Sequence, residues 1–144
     1  MPMLLWDGMG VDKWWPANAS TEGASLEQET IESILKALNN TNPQILLSMV
    51  VMPDGLALAY EGNVDDFEKV GALYIELQLM CEKIMSELEY GELEEMFIRS
   101  KSGCVVLLPI GDKGLLACMS TPDVNASKLQ MFTWKAVSRL FELM

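Results

Sequence analysis

Two consecutive apolar segments joined by a tight turn set the terms on which this chain can fold. Ile45 to Met52 is apolar on both faces, broken only by Ser48. Pro53-Asp54-Gly55 follows, where proline presets one φ and glycine permits a positive one. Leu56 to Tyr60 then returns as the second strand of a hairpin. Strands apolar on both faces need cover on both faces of their sheet. That cover has to be helical, because the rest of the pattern offers three helices and one sheet's worth of strands.

The first helix is announced by Ser25 with Gln28 three residues on, a capping-box spacing. Ile31, Ile34, Leu35 and Leu38 follow at helical period, and Asn39-Asn40 with Pro43 close the segment. A long helix is expected from about Asp65, an N-cap with Glu68 behind it, to about Glu89, a span of about 36 Å. Its main apolar stripe holds Phe67, Val70, Leu73, Tyr74, Leu77, Met80, Cys81, Ile84 and Leu88, and is expected to cover the sheet. A smaller ridge of Ala72, Ile75 and Leu79 lies nearly opposite, flanked by Glu76 and Lys83 on one side and Gln78 and Glu82 on the other. A continuous apolar ridge with a polar rim has the make-up of a contact patch.

Three short runs follow: Leu93 to Ser100, Cys104 to Ile110 and Leu115 to Ser120. The turns between them are Lys101-Ser102-Gly103 and Gly111-Asp112-Lys113-Gly114, and such short links make an antiparallel meander. Pro109 implies a bulge or an early end to pairing. Pro122-Asp123 opens a last helix with Leu129, Phe132, Ala136, Leu140 and Leu143 along its apolar face. Trp134 falls off that face and is an expected partner for the leading segment. The strand Leu93–Ser100, carrying Leu93, Met96, Phe97 and Ile98, is left at a sheet edge, which is an aggregation hazard unless it is paired.

Composition narrows the function classes. The 144 residues suit one domain, and half of them are hydrophobic, enough for a core without metals or disulfides. A net charge of −11 argues against nucleic acid and anionic membrane surfaces, since phosphate contacts need clustered Lys and Arg. Cys81, Cys104 and Cys118 fit no zinc spacing and read as reduced core residues of a cytoplasmic protein. No signal peptide and no membrane-spanning run is evident. The chain has no His, no phosphate loop beyond a bare Gly8-Met9-Gly10, and carboxylates placed on a solvated helix face, so neither catalytic groups nor a cofactor site are expected. Residues 1–24 stand apart as an extension. They lack helical or strand period yet hold Trp6, Trp14 and Trp15 ahead of Pro16, so docking on the domain or a second copy competes with a linear motif for a partner and with an undocked leader.

The order helix, two strands, helix, three strands, helix resembles the roadblock / dynein light-chain family. The residues that carry it are Asp54-Gly55-Leu56-Ala57, Val70-Gly71-Ala72, Gly91-Glu92-Leu93-Glu94, Gly103, Leu107-Leu108-Pro109-Ile110 and Leu115-Leu116-Ala117. The resemblance covers roughly residues 26–143, and implies a roadblock-like α+β domain over residues 25–144. Its expected form is three-layered: a five-stranded antiparallel sheet with the long helix on one face and the terminal helices on the other. It also implies a non-enzymatic regulator of small Ras-like GTPases, homodimeric through the Leu93–Ser100 edge and the paired long helices. With only Arg99 and Arg139 available, an arginine finger is not expected. The GTPase is expected on the ridge Ala72, Ile75, Glu76, Leu79, Glu82 and Lys83. The alternative is a dimeric scaffold or sensory module with no GTPase partner.

Overall fold

A computed structural model describes residues 30–144. The elements run α1 (Ile31–Asn40), β1 (Ile45–Val51), β2 (Ala57–Gly62), α2 (Phe67–Glu87), β3 (Met96–Arg99), β4 (Cys104–Pro109), β5 (Leu115–Ser120) and α3 (Ala126–Leu143). The strands form one antiparallel sheet in the order β2-β1-β5-β4-β3. Its two faces carry separate cores. Ile34, Leu35 and Leu38 of α1 and Leu129, Phe132, Ala136 and Leu140 of α3 close over Val50, Val106, Leu108, Leu116 and Cys118. On the other face α2 packs over Met49, Val51, Met96, Leu107, Leu115 and Ala117. The three layers are those expected.

Local chemistry sets the boundaries. Within the described residues α1 is capped at Thr30, whose hydroxyl accepts from Ser33 N while Ser33 Oγ accepts from Thr30 N, both at 3.1 Å. The Ser25–Gln28 capping box lies outside the described residues. Asp66, one residue later than expected, caps α2 by accepting from Lys69 N at 3.1 Å. Asn125, not Pro122-Asp123, caps α3. Pro109 is the last residue of β4, so pairing ends there without a bulge. Ser48, the polar break in β1, is fully buried and donates to Asn39 Oδ1 at 2.6 Å, while Asn39 Nδ2 donates to Glu61 O, which ties α1 to both strands of the hairpin.

The register slips in two places. Val50 pairs with Ala59 and Val51 with Ala57, so Leu58 has no opposite number. Ile45 pairs with Ser120 and Leu47 with Met119, so Leu46 is likewise left over. Both leucines are exposed. A bulge displaces one residue from the two-residue alternation, which is why two apolar residues inside strands stand in solvent.

The close approach of α2 to the sheet depends on two glycines. Gly55, at φ 93° in the hairpin turn, donates to Met52 O at 2.8 Å. A Cβ on Gly71 would stand 3.1 Å from Gly55 O and 3.4 Å from Val51 Cγ1. Replacing Gly71 by Val should lift the helix and cost about 1–3 kcal/mol, as overpacking does. The expected readout is a lower urea midpoint with an unchanged slope.

Candidate functional site

The way α2 sits on the sheet decides which side chains can meet a partner. Gly71 and Ile75 are its buried residues, with Ile75 only 9% exposed. Val70, Tyr74, Leu77 and Cys81 pack against the same core to one side. Burial pushes the Tyr74 hydroxyl above its ordinary pKa. Beyond them Leu73, Met80, Ile84 and Leu88 are exposed, Met80 at 58%. With half-buried Leu77 between them, these residues fall at spacings of four, three, four and four, close to the seam pattern of a helix that packs on another helix. Met80, Ile84 and Leu88 with Lys83 and Glu87 also line a shallow hollow of about 340 Å³.

This corrects two sequence expectations. Leu73, Met80, Ile84 and Leu88 were expected beneath the helix, and they face out. Ile75 was expected on an outward ridge, and it lies beneath. The helix is turned by about one residue's step, 100°, from the orientation its apolar moment favours. The cause is Gly71: the residue lacking a side chain takes the closest approach, and Ile75 follows one turn later. Of the expected partner ridge, Ala72, Glu76, Leu79, Glu82 and Lys83 remain outside the core, Leu79 at 61% exposure.

The sheet beneath has one open margin. The cross-strand row Met96–Leu107–Ala117–Met49 is buried under α2. The next row, Ile98–Val105–Met119, is not closed: Ile98 is 44% exposed and the other two are half-buried. That row begins at β3, which is the edge strand, as expected. The strand is shorter than expected. Leu93 is half-buried in the loop before it, Met96 is buried in the α2-side core, and Phe97 and Ile98 are exposed.

A groove of about 610 Å³ opens at the far flank of α2, lined by Glu82, Glu92, Leu93, Glu94, Asp112 and Trp134 among others. A smaller hollow of about 240 Å³ shares Glu82 and Asp112 with it and reaches Ile75, Gln78 and Leu79. Beside the groove, Glu95 accepts from Trp134 Nε1 at 2.9 Å and from Gln130 Nε2 at 2.9 and 3.0 Å. This clamp fastens the lead-in of β3 to α3. Sequence reasoning missed it, and the available signal was Trp134 standing off its helix stripe while Glu92, Glu94 and Glu95 crowd the start of a strand. Asp112 was read as turn chemistry alone.

The three cysteines are free. Cys104 and Cys118 are buried, and burial pushes the Cys118 thiol up to about 12. Among the described residues no group of three His, Cys, Asp or Glu side chains is placed to hold a metal, and no helix is long and apolar enough to cross a membrane.

A two-sided five-stranded sheet between one long helix and a helix pair, with a bare edge strand beside that long helix, defines a Roadblock-type domain. A profile of the Roadblock/LC7 domain matches residues 30–120, and the chain belongs to that family. Among solved structures it is similar to the Roadblock/LC7 domain from Streptomyces avermitilis, with a TM-score of 0.72 and 16% identity over 78% of this chain and 98% of that one. It is also similar to MglB of Myxococcus xanthus, with a TM-score of 0.74 and 12% identity over 78% and 93% of the two chains. For the gliding protein MglB from Thermus thermophilus the TM-score is 0.72, with 11% identity over 78% and 86%. A comparison with curated protein sequences finds no match.

The seating of α2 and the burial of the thiols are each open to a direct check. Ile75→Ala should cost about 2–5 kcal/mol, as core truncations do, whereas Leu79→Ala should stay within about 0.5 kcal/mol of the parent. Chemical denaturation of both variants tests the contrast. In a thiol-alkylation time course at mildly alkaline pH, half-buried Cys81 should react first, with Cys104 and Cys118 following only on unfolding. Mass spectrometry of the labelled peptides reads the order.

Proposed function

We propose that this chain is a non-enzymatic homodimeric platform for a small Ras-like GTPase, regulating the GTPase's nucleotide cycle or its location. The observation that carries the reading is the unequal cover of the sheet. Two helices close one face, whereas α2 alone leaves Ile98, Val105 and Met119 partly open beside its own exposed seam of Leu73, Met80, Ile84 and Leu88. A second copy, related by a two-fold axis, would lay its α2 along that seam and its β3 along the exposed edge. The interface is then helix on helix and strand on strand, with the same apolar residues supplied from both sides.

The seam being used in this way, the partner surface is the other outward flank of α2. Ala72 and Leu79 supply its apolar contact. Glu76, Glu82 and Lys83 supply a charged rim, which governs choice of partner and encounter rate more than affinity. Ile75 has no part in that surface. Family membership supports a GTPase as the partner. The chemistry of the chain supports a non-enzymatic role: it has no His, its Cys118 thiol is raised and buried, and its two arginines are Arg99 on the edge strand and Arg139 on α3.

Two paired variants divide the surfaces. Met80→Glu with Ile84→Glu should convert the dimer to monomer in sedimentation. Leu79→Glu with Glu82→Lys should leave the dimer intact and reduce capture of a Ras-like GTPase at least tenfold, about 1.4 kcal/mol. Capture is measured with the GTPase loaded with GDP and, separately, with a non-hydrolysable GTP analogue. A monomeric parent at micromolar concentration would overturn the dimer. Failure of any Ras-like GTPase to bind a sound dimer would leave a GTPase-independent scaffold as the reading.

A further inference from the structure

The free edge of β3 does not offer the same groups all along its length. Ser100 N donates to Gly103 O at 2.9 Å across the β3–β4 turn. Hydrogen bonding alternates along an antiparallel strand, so Ile98 and Met96 turn their amides and carbonyls toward β4, while Phe97 and Arg99 turn theirs to the free edge. Side chains alternate with the same period. Ile98 lies on the α2 side, in the open row with Val105 and Met119. Phe97 and Arg99 lie on the other side, opposite Val106 and Cys104 of the core beneath α1 and α3. Glu95 reaches Gln130 and Trp134 of α3 and so shares their face.

Two groups on that face carry charge without a counter-charge. Glu95 is half-buried, and the donors that hold it, Gln130 Nε2 and Trp134 Nε1, are neutral. Its Oε1 accepts from both and its Oε2 from Gln130 alone, so Oε2 keeps a lone pair for a further donor. Arg99 is exposed, with its guanidinium 5.7 Å from the centre of the Phe97 ring. Among the described residues neither Glu95 nor Arg99 makes an ion pair.

A two-fold axis through paired β3 strands sets one residue opposite itself, and each choice has different consequences. An axis at Arg99 would bring two guanidiniums face to face. An axis at Met96 would put Ile98 against Glu94. At Ile98 it would join two open apolar rows end to end and leave Glu95 against Lys101 of the turn. At Phe97 each position finds a complement. Arg99 meets Glu95 on both sides of the axis, Phe97 meets Phe97, and Ile98 meets Met96. The open row Ile98–Val105–Met119 of one copy then runs into the row Met96–Leu107–Ala117–Met49 of the other, which α2 of that copy already covers.

We infer that two copies pair β3 about an axis at Phe97, and that Arg99 of each copy completes the Glu95–Gln130–Trp134 clamp of the other; this rests on the homodimer proposed above. The guanidinium donates to Glu95 Oε2, a charge-assisted bond. Opposite charges directly across a strand pair stabilise it and like charges oppose it. Moving the axis by one residue slips the strands by two and loses both charge pairs, so the clamp reads the register as well as fastening the lead-in of β3.

Disulfide trapping tests the register. In a Cys81→Ser background, Phe97→Cys should link two copies under mild oxidation, because directly opposed hydrogen-bonded residues stand about 5.5 Å apart between Cα atoms. Ile98→Cys should not, because its own image is a diagonal neighbour at about 7–8 Å. Charge exchange tests the pair. Arg99→Glu and Glu95→Arg should each weaken self-association in sedimentation by roughly tenfold or more, and an equimolar mixture of the two should recover the dimer. Circular dichroism confirms that each variant is folded, and should Glu95→Arg not fold, the disulfide pair decides alone. Linkage through Ile98→Cys, linkage through neither variant, or no recovery on mixing two folded variants would overturn the register while a dimeric parent left the platform reading in place. A monomeric parent would overturn both.

Discussion

The contact on which the rest of this structure depends is the approach of α2 to the β1–β2 turn at Gly71 and Gly55. A Cβ at position 71 would press on a backbone carbonyl at 3.1 Å. That proximity fixes the rotation of a 21-residue helix about its own axis. From the rotation follows the division of α2 into a buried base at Ile75, an apolar seam on one flank and a mixed, charged flank on the other. Every functional surface on this side of the sheet inherits its composition from that one choice.

The two sides of the sheet are finished to different standards. Below, α1 and α3 interlock over β-strand residues that are shut off from water. Above, a single helix spans a sheet wide enough for two. Single exposed apolar side chains need no explanation, but a contiguous set does. Here Leu73, Met80, Ile84 and Leu88 line up on the helix while Ile98, Val105 and Met119 line up on the strands. Both sets suit cover by a helix of the same kind, and the proposed second copy of the chain would bring one.

Much of the fold was legible because its signals are local. The Pro53-Asp54-Gly55 turn, the Gly-containing turns of the meander and the helical period of Ile34, Leu35 and Leu38 each act over a few residues. What misled was the long helix, where the apolar stripe from Phe67 to Leu88 is centred toward the outward seam. Periodicity reports where apolar residues lie, not whether a sheet or a second helix covers them. Gly71 carried the correcting information, because a glycine inside a helix costs roughly 0.5–1 kcal/mol relative to alanine and its presence implies a close approach. The clamp of Glu95 by Gln130 and Trp134 joins residues more than thirty positions apart, and no periodicity reports a pairing of that span. The exposure of Leu46 and Leu58 escaped the sequence for a third reason: a bulge changes the phase of a strand without changing its composition.

The bulge at Leu58 has a consequence for how far such a sheet can grow. A sheet with two regular, bare edges is a repeating unit for a fibre, since each addition exposes the same edge again. In this chain the two edges differ. Along β3 the residues from Met96 to Arg99 keep unbroken register with β4. Along β2 the ladder skips Leu58, a break in register that a newcomer would have to match. In the proposed dimer, extension through β3 would use up the regular edge of both participants and leave the irregular ones outside. The irregularity would then make the step from one copy to two self-terminating, a limit on size set in the backbone of the strand farthest from where the copies would meet.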